Sequence, residues 1–271
     1  MTLDVSDPAV RLGLQAADHA LPLYFAGLLA VMLLAGGGWL LLRRVVHPHQ
    51  PGRPMPPMQL VLRLGLGALG IVAAATAFAE LADEMGDGEG LGRFDEAVAG
   101  RLAQTLAPAV LRVFATITHL GDVIMLTLVS LAAIGWLLWQ RRWRMALAFG
   151  LVTGGGGLLN RVLKSVFERV RPPHEHGVGV VADGYSFPSG HSAGSAVVYG
   201  MLAWLLLRST PRHWHAPIVA AAAALVFTIG VSRVMLQVHW ASDVAAGLAS
   251  GTAWLLTCVL IIDWLRRPRG T

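Results

Sequence analysis

Seven apolar runs alternate with short polar connections along the chain, each of roughly 17–22 residues, the length that crosses a bilayer core. They fall at about 21–42, 60–81, 121–139, 145–163, 191–207, 217–236 and 243–264. Such a pattern predicts an all-α, polytopic transmembrane bundle. A proline-rich piece at 48–57 reads as a linker between the first two runs. Between the second and third, the stretch from Phe94 to Leu106 is apolar at spacings of three and four, which predicts an amphipathic helix lying on the outer surface. Such a helix either helps a lipid approach or is plain surface structure. Four consecutive glycines, Gly154 to Gly157, interrupt the fourth run. In a membrane bundle they permit close helix packing.

Composition agrees. Of 271 residues, 55% are hydrophobic and 14% charged, and the mean hydropathy is +0.60. Soluble domains carry nearer a quarter charged residues. A net charge of +5 and a pI near 10.3 would suit a nucleic-acid partner, but the basic residues sit in short clusters between apolar runs, so no nucleic acid is expected. The single cysteine, Cys258, lies in the last run, which leaves no disulfide framework and no thiol metal site. No cleavable leader stands out before the first run.

Those clusters orient the bundle. Arg43, Arg44, Arg53 and Arg63 flank the first linker; Arg141, Arg142 and Arg144 crowd the third connection, Arg208 and Arg212 the fifth, and Arg266, Arg267 and Arg269 the end. All fall on one side of a seven-span chain, which the positive-inside rule makes cytoplasmic. The opposite side receives the acidic piece from Asp83 to Glu89, the segment from Lys164 to Ser189, and the segment from Ser232 to Asp243. The N-terminus is placed outside.

Three stretches on that outer side hold more chemistry than a membrane-edge loop needs. In the last, His239 and Asp243 are four apart, a spacing that lets the carboxylate fix one ring nitrogen and leave the other free to attack. Arg233 stands six residues earlier, within reach if the backbone turns back. At the end of the fourth run, Lys164 and Arg171 are seven apart, two helical turns, so they share a face until Pro172 and Pro173 end the helix. Lys164 is the only lysine among 21 basic residues, a sign that an ammonium is wanted there. The third stretch, Pro188-Ser189-Gly190-His191, opens the fifth run as a helix start whose free amides form an anion site. A solvated loop, snorkelling cations and a capping turn would explain each stretch singly. They do not explain His191 at a helix start or the coincidence of all three.

Together they suit a phosphoryl group. Lys164, Arg171, Arg233 and the amides of Ser189 and Gly190 match its oxygens. His239 would attack phosphorus with Asp243 orienting it, and His191 would protonate the leaving oxygen and then activate water. No metal-type carboxylate cluster accompanies them, so no metal or other cofactor is expected. His119, His174 and His176 read as loop or interfacial residues.

The set Lys164-x6-Arg171-Pro172, Pro188-Ser189-Gly190-His191 and Ser232-Arg233-x5-His239-x3-Asp243 resembles the three-part signature of the type 2 phosphatidic acid phosphatase superfamily, which includes the lipid phosphate phosphatases and shares its helical core with vanadium haloperoxidases. The resemblance covers roughly residues 60–264. It implies a six-span phosphatase core at 60–271, with residues 1–59 as an extra N-terminal span and linker. It also implies a bacterial inner-membrane enzyme that faces the exterior and acts on a lipid phosphate through a phosphohistidine. Undecaprenyl pyrophosphate, phosphatidylglycerol phosphate and phosphatidate are the substrates it suggests. A phosphotransferase using a second acceptor, a vanadate-dependent oxidase and a non-catalytic lipid-binding or transport relative are the alternatives. Oligomeric state is not set by any of this.

Overall fold

The structure is a computed structural model that describes residues 4–46, 57–86, 89–173, 180 and 183–265. Most of the linker at 48–57, together with Asp87, His174, His176 and the C-terminal arginines, lies outside the described residues. Ten α-helices are present among those described: α1 (Pro8–Asp18), α2 (Ala20–Val46), α3 (Pro57–Asp83), α4 (Gly90–Thr105), α5 (Pro108–Thr118), α6 (Val123–Trp139), α7 (Trp143–Phe167), α8 (Gly190–Ser209), α9 (His215–Met235) and α10 (Ala241–Leu265).

Six of these, α2, α3 and α7 to α10, are long and apolar enough to cross a membrane. The pair α5 and α6, bent by 44° at its junction, supplies a seventh crossing if taken as one span. The third run is therefore not a simple helix beginning at Gly121. It is a kinked one whose break, from His119 to Asp122, stands beside the start of α8.

The centre is α8. Half of its most apolar stretch is buried, against none of that of α3. Met201, Val197 and Leu205 of α8 pack with Leu137 of α6 and Phe149 and Val152 of α7 in the main core. Small residues set the approach of the outer helices. A Cβ on Gly27 of α2 would come within 2.8 Å of the Phe227 ring on α9, and one on Gly67 of α3 within 2.6 Å of Leu260 on α10. The outward faces of α2 and α3, with Leu33, Leu34, Leu69 and Val72 exposed, are apolar along their length, as lipid-facing helices are.

The tetraglycine divides its labour. Gly155 and Gly156 are packing positions, where a Cβ would meet Trp254 at 2.5 Å and Val197 at 3.1 Å. Gly154 and Gly157 have nothing within 4 Å of that position, so close packing explains only half of the run.

The amphipathic helix forms as α4, but it is not plain surface structure. Its apolar stripe is covered: Gly13 of α1 lies so close that a Cβ would meet the Phe94 carbonyl at 2.7 Å, and Asp7, which caps α1, and Asp18 at its end pair with Arg93 and Arg101. Asp95, on the stripe of Val98 and Leu102, is 1% exposed. At the other end of the bundle, Asp263 of α10 holds both Arg63 and Arg208, which puts those two arginines at the end away from the kink.

Candidate active site

Four chain segments converge at the N-terminal end of α8. The turn between α9 and α10 comes first. Ser232 and Val234 cap the end of α9 through their carbonyls, Gln237 takes a left-handed conformation with φ of 52°, and the chain reverses so that the amides of Val238 and His239 both donate to the Arg233 carbonyl. The backbone therefore does turn back and brings His239 over Arg233. The stretch is not a solvated loop: His239 and Arg233 are each 3% exposed and Asp243 is fully buried.

His239 precedes α10 and Asp243 sits in its first turn, and their four-residue spacing brings Nδ1 to 3.2 Å from Oδ2. The same oxygen accepts the Trp240 amide at 3.0 Å, while Oδ1 accepts Arg169 Nη1 at 2.8 Å. With Nδ1–H donated to Asp243, the lone pair of His239 lies on Nε2, which faces Arg171 Nη1 at 3.1 Å. Burial pushes this imidazole well below its ordinary pKa, and the charges of Arg171, Arg233 and Lys164 push the same way. Both effects favour the neutral ring, whose Nε2 lone pair accepts from Arg171 and sits among cations. That is the state a nucleophile requires.

Lys164 and Arg171 meet, though not as two turns of one helix. Helix α7 stops at Phe167, with Glu168 left-handed at φ of 46° and its amide on the Lys164 carbonyl. Arg171 precedes a proline, which disfavours helix, so the chain is already extended there. Both side chains reach one carbonyl: Lys164 Nζ donates to Tyr185 O, and Arg171 Nη2 does so at 3.2 Å. Arg171 also donates to the carbonyls of Asp183, Gly184 and Val238.

The helix start is as expected in place and different in use. Ser189 caps α8, but its amide donates to the Asp243 carbonyl at 2.9 Å and its hydroxyl accepts from Ser192. That amide ties two motifs together, so the helix-start donors left to an anion are those of Gly190 and His191, the first residues of α8. The peptide before Pro188 is cis.

Two further contributors carry no signature. Arg169 reaches Asp243, the Ser242 hydroxyl at 2.6 Å and Asp95 of α4 at 3.0 Å, and its guanidinium lies 5.4 Å from the Trp240 ring centre. Ser242 also bonds Asp95 through both its amide and its hydroxyl. The signal for Asp95 was present, a carboxylate on an otherwise apolar helical stripe, but its partner was unknowable from spacing. The second contributor is the α5–α6 kink: Thr118 accepts from Arg233 at 2.7 Å, and Asp122 lies 2.7 Å from both His191 Nε2 and His119 Nδ1. His119 is therefore no bystander, and no pattern in the run announced this.

Lys164, Arg171, His191, Arg233 and His239 line one end of a cleft of about 830 Å³. From there it continues between α6 and α7, past Leu126, Thr127 and Ile134 on one side and Gly150, Gly154 and Gly157 on the other. Two buried polar atoms of cleft-lining residues, Arg233 Nε and Asn160 Oδ1, have no partner. A polar group presented at the cationic end, with an apolar chain along the helices, is the ligand such a cleft fits. Among the described residues, no three His, Cys, Asp or Glu are grouped to hold a metal.

Comparison with known proteins gives the same picture. The family model of the PAP2 superfamily matches residues 145–267. Phosphatidylglycerophosphatase B of Bacillus subtilis (strain 168) is 35% identical over 161 residues, covering 58% of this chain and 77% of that protein. A lipid A 1-phosphatase of Rhizobium johnstonii is 39% identical over 114 residues, 38% of this chain and 43% of that protein. The crystal structure of the first transmembrane PAP2 type phosphatidylglycerolphosphate phosphatase from Bacillus subtilis superposes with a TM-score of 0.66 at 30% identity, covering 74% of this chain and 99% of that one. With this bundle, this cleft and these relatives, the chain belongs to the PAP2 superfamily of integral membrane phosphatases, hydrolases of lipid phosphate esters.

Proposed function

We propose that the protein removes the terminal phosphate of a membrane lipid at the outer face of a bacterial inner membrane, through a phosphohistidine on His239. One observation carries this reading: a buried neutral histidine, fixed through Nδ1 by Asp243, offers Nε2 to a cleft lined by Lys164, Arg171 and Arg233. In the first step the Nε2 lone pair attacks phosphorus in line, the bond from phosphorus to the lipid oxygen breaks, and that oxygen takes a proton from His191. In the second, His191 takes a proton from water, the resulting hydroxide attacks phosphorus, and the nitrogen–phosphorus bond breaks to release inorganic phosphate. Lys164, Arg171, Arg233 and the amides of Gly190 and His191 balance the charge on the equatorial oxygens.

The lipid class follows from the apolar continuation of the cleft between α6 and α7. Among the three substrates the sequence suggests, phosphatidylglycerol phosphate is favoured, because the relatives named for that activity include one matched over most of its length. The outward orientation rests on the arginine clusters at the opposite end. Residues 60–271 form the phosphatase core in this reading and 1–59 an addition to it.

Phosphate release by detergent-purified protein in excess EDTA, on phosphatidylglycerol phosphate, undecaprenyl pyrophosphate and phosphatidate, tests the reading. Release from phosphatidylglycerol phosphate above the other two is expected. No release from any of the three by folded protein would overturn it.

A further inference from the structure

The kink between α5 and α6 carries none of the matched motifs, yet it grips two groups of the site. Thr118 Oγ1 accepts from Arg233, and Asp122 Oδ1 lies 2.7 Å from His191 Nε2. Gly121 makes the second contact possible: a Cβ there would come within 2.9 Å of His191 Cδ2 and 2.5 Å of Ile229 Cγ2. The turn itself is pinned, since Tyr199 of α8 donates its hydroxyl to the Leu120 carbonyl at 2.7 Å. Asp122 precedes α6 in the N-cap position but makes no capping bond with its side chain. Both carboxylate oxygens are turned to histidines instead, Oδ2 lying 2.7 Å from His119 Nδ1. A carboxylate held at both oxygens presents a fixed acceptor to His191.

We propose that Asp122 is the positioning residue of His191, as Asp243 is of His239. By accepting Nε2–H it selects the tautomer that carries its lone pair on Nδ1. Nδ1 is then the atom that gives a proton to the leaving oxygen and takes one from water, while Nε2–H stays with the carboxylate throughout. The ring therefore enters the first half-reaction as the imidazolium, is neutral between the two, and is an imidazolium again once water has given up its proton; the carboxylate steadies that charged form. His119, with its side chain 64% exposed, holds the far oxygen and contacts no substrate in this scheme. The inference rests on the reading of His191 as the leaving-group acid.

A nitrophenolate leaves without being protonated, whereas a lipid alkoxide does not. Purified wild type and the variants His191→Gln, Asp122→Asn and Asp122→Glu are therefore compared on phosphatidylglycerol phosphate and on para-nitrophenyl phosphate. Removing Asp122 is expected to lower kcat/KM on the lipid about 10²-fold, within the usual range of general-acid contributions, and on the nitrophenyl ester by less than about tenfold. Asp122→Glu should recover part of the lipid activity. Equal losses on both esters for Asp122→Asn, with a selective loss for His191→Gln, would overturn the role of Asp122 alone. Equal losses for His191→Gln would overturn the acid reading of His191 and this inference with it. Nitrogen-15 NMR of the histidine-labelled wild type reads the tautomer without any variant. Nε2–H on the neutral ring of His191 is expected, and a neutral ring protonated on Nδ1 instead would overturn the proposal.

Discussion

Asp95 and Asp243 lie on either side of one guanidinium, that of Arg169, at 3.0 and 2.8 Å. Asp95 belongs to α4 and Asp243 to the last span, so the arginine between them fastens α4 to the site. All three are buried or nearly so, and Ser242 closes the group by bonding Asp95 through amide and hydroxyl. Burial pushes the Asp95 carboxyl above its ordinary pKa, opposed by the Ser242 hydroxyl and by the charge of Arg169. A carboxylate in that position is retained because its partners are fixed around it.

Removing it should be costly in two ways. Asp95→Ala strips a buried cation of one counter-charge and two donors of their acceptor, at about 3–5 kcal/mol. The unfolding midpoint in detergent should fall, and turnover should fall with it because Arg169 is then free to rotate away from Asp243. Asp95→Asn, which keeps an acceptor for Ser242, should lose less of both. A variant as stable and as active as wild type in thermal unfolding and phosphate release would show that the network is incidental.

The proposed nucleophile is best tested without opening a hole. His239 and Asp243 are buried, so His239→Ala would leave the carboxylate without its ring donor and confuse folding with chemistry. His239→Asn keeps a donor and removes the nucleophile. Turnover is expected to drop by at least ~10⁴-fold, the scale on which loss of a catalytic nucleophile is read. Quenching in alkaline detergent after mixing with labelled lipid should trap an alkali-stable phosphoprotein, labile on later acidification, in wild type and none in the variant. Label retained by His239→Asn would move the covalent role elsewhere.

The depressed pKa of His239 sets a pH dependence with a definite sign. Below the ordinary imidazole value of about 6.5 the unfolded chain takes up a proton on this ring that the folded chain does not. The stability contributed by the neutral ring is therefore complete above that value and is lost as the pH falls toward the folded pKa, at no more than about 1.4 kcal/mol per pH unit. Activity should persist in the same interval, because Nε2 is still unprotonated. The acid limb of kcat/KM is expected below pH 6.5, and His239→Asn should flatten the corresponding slope of unfolding midpoint against pH. An acid limb at or above 6.5 would contradict the burial of this ring.

Much of this was legible before any coordinates. The seven runs correspond to α2, α3, the kinked α5–α6 pair and α7 to α10, because a long apolar run has few alternatives in a bilayer. The eight residues singled out from three motifs gather at one end of the bundle, since each motif sits at the same end of its span. What sequence reasoning lost was carried by partners distant in the chain. Asp122, Asp95 and Arg169 are signature positions of none of the three motifs and are not singled out by spacing or composition. Each acquires meaning only through a contact across more than 60 positions. The helical spacing of Lys164 and Arg171 led to the right neighbours by the wrong route, because a left-handed Glu168 and a pre-proline Arg171 ended the helix early. The Ser189 amide was given to an anion when a backbone carbonyl already held it.

The glycines of α7 separate packing from substrate room. At Gly155 a Cβ would meet Trp254, whose ring is held by its bond to the Val152 carbonyl at 2.8 Å and cannot easily withdraw. Gly155→Ala is therefore expected to destabilise the bundle by about 1–3 kcal/mol, the usual cost of overpacking, despite the better helix propensity of alanine. Gly157 is two residues nearer Lys164, has open space beside it and lines the cleft. Gly157→Leu should leave the unfolding midpoint near that of wild type while filling the passage between α6 and α7. Its kcat/KM on phosphatidylglycerol phosphate should fall tenfold or more, equivalent to about 1.4 kcal/mol. Its activity on para-nitrophenyl phosphate, which has no chain to place there, should change far less. Equal losses on both substrates would mean that leucine distorts the phosphate site itself, and the lipid chain would then have to be sought along another face of the bundle.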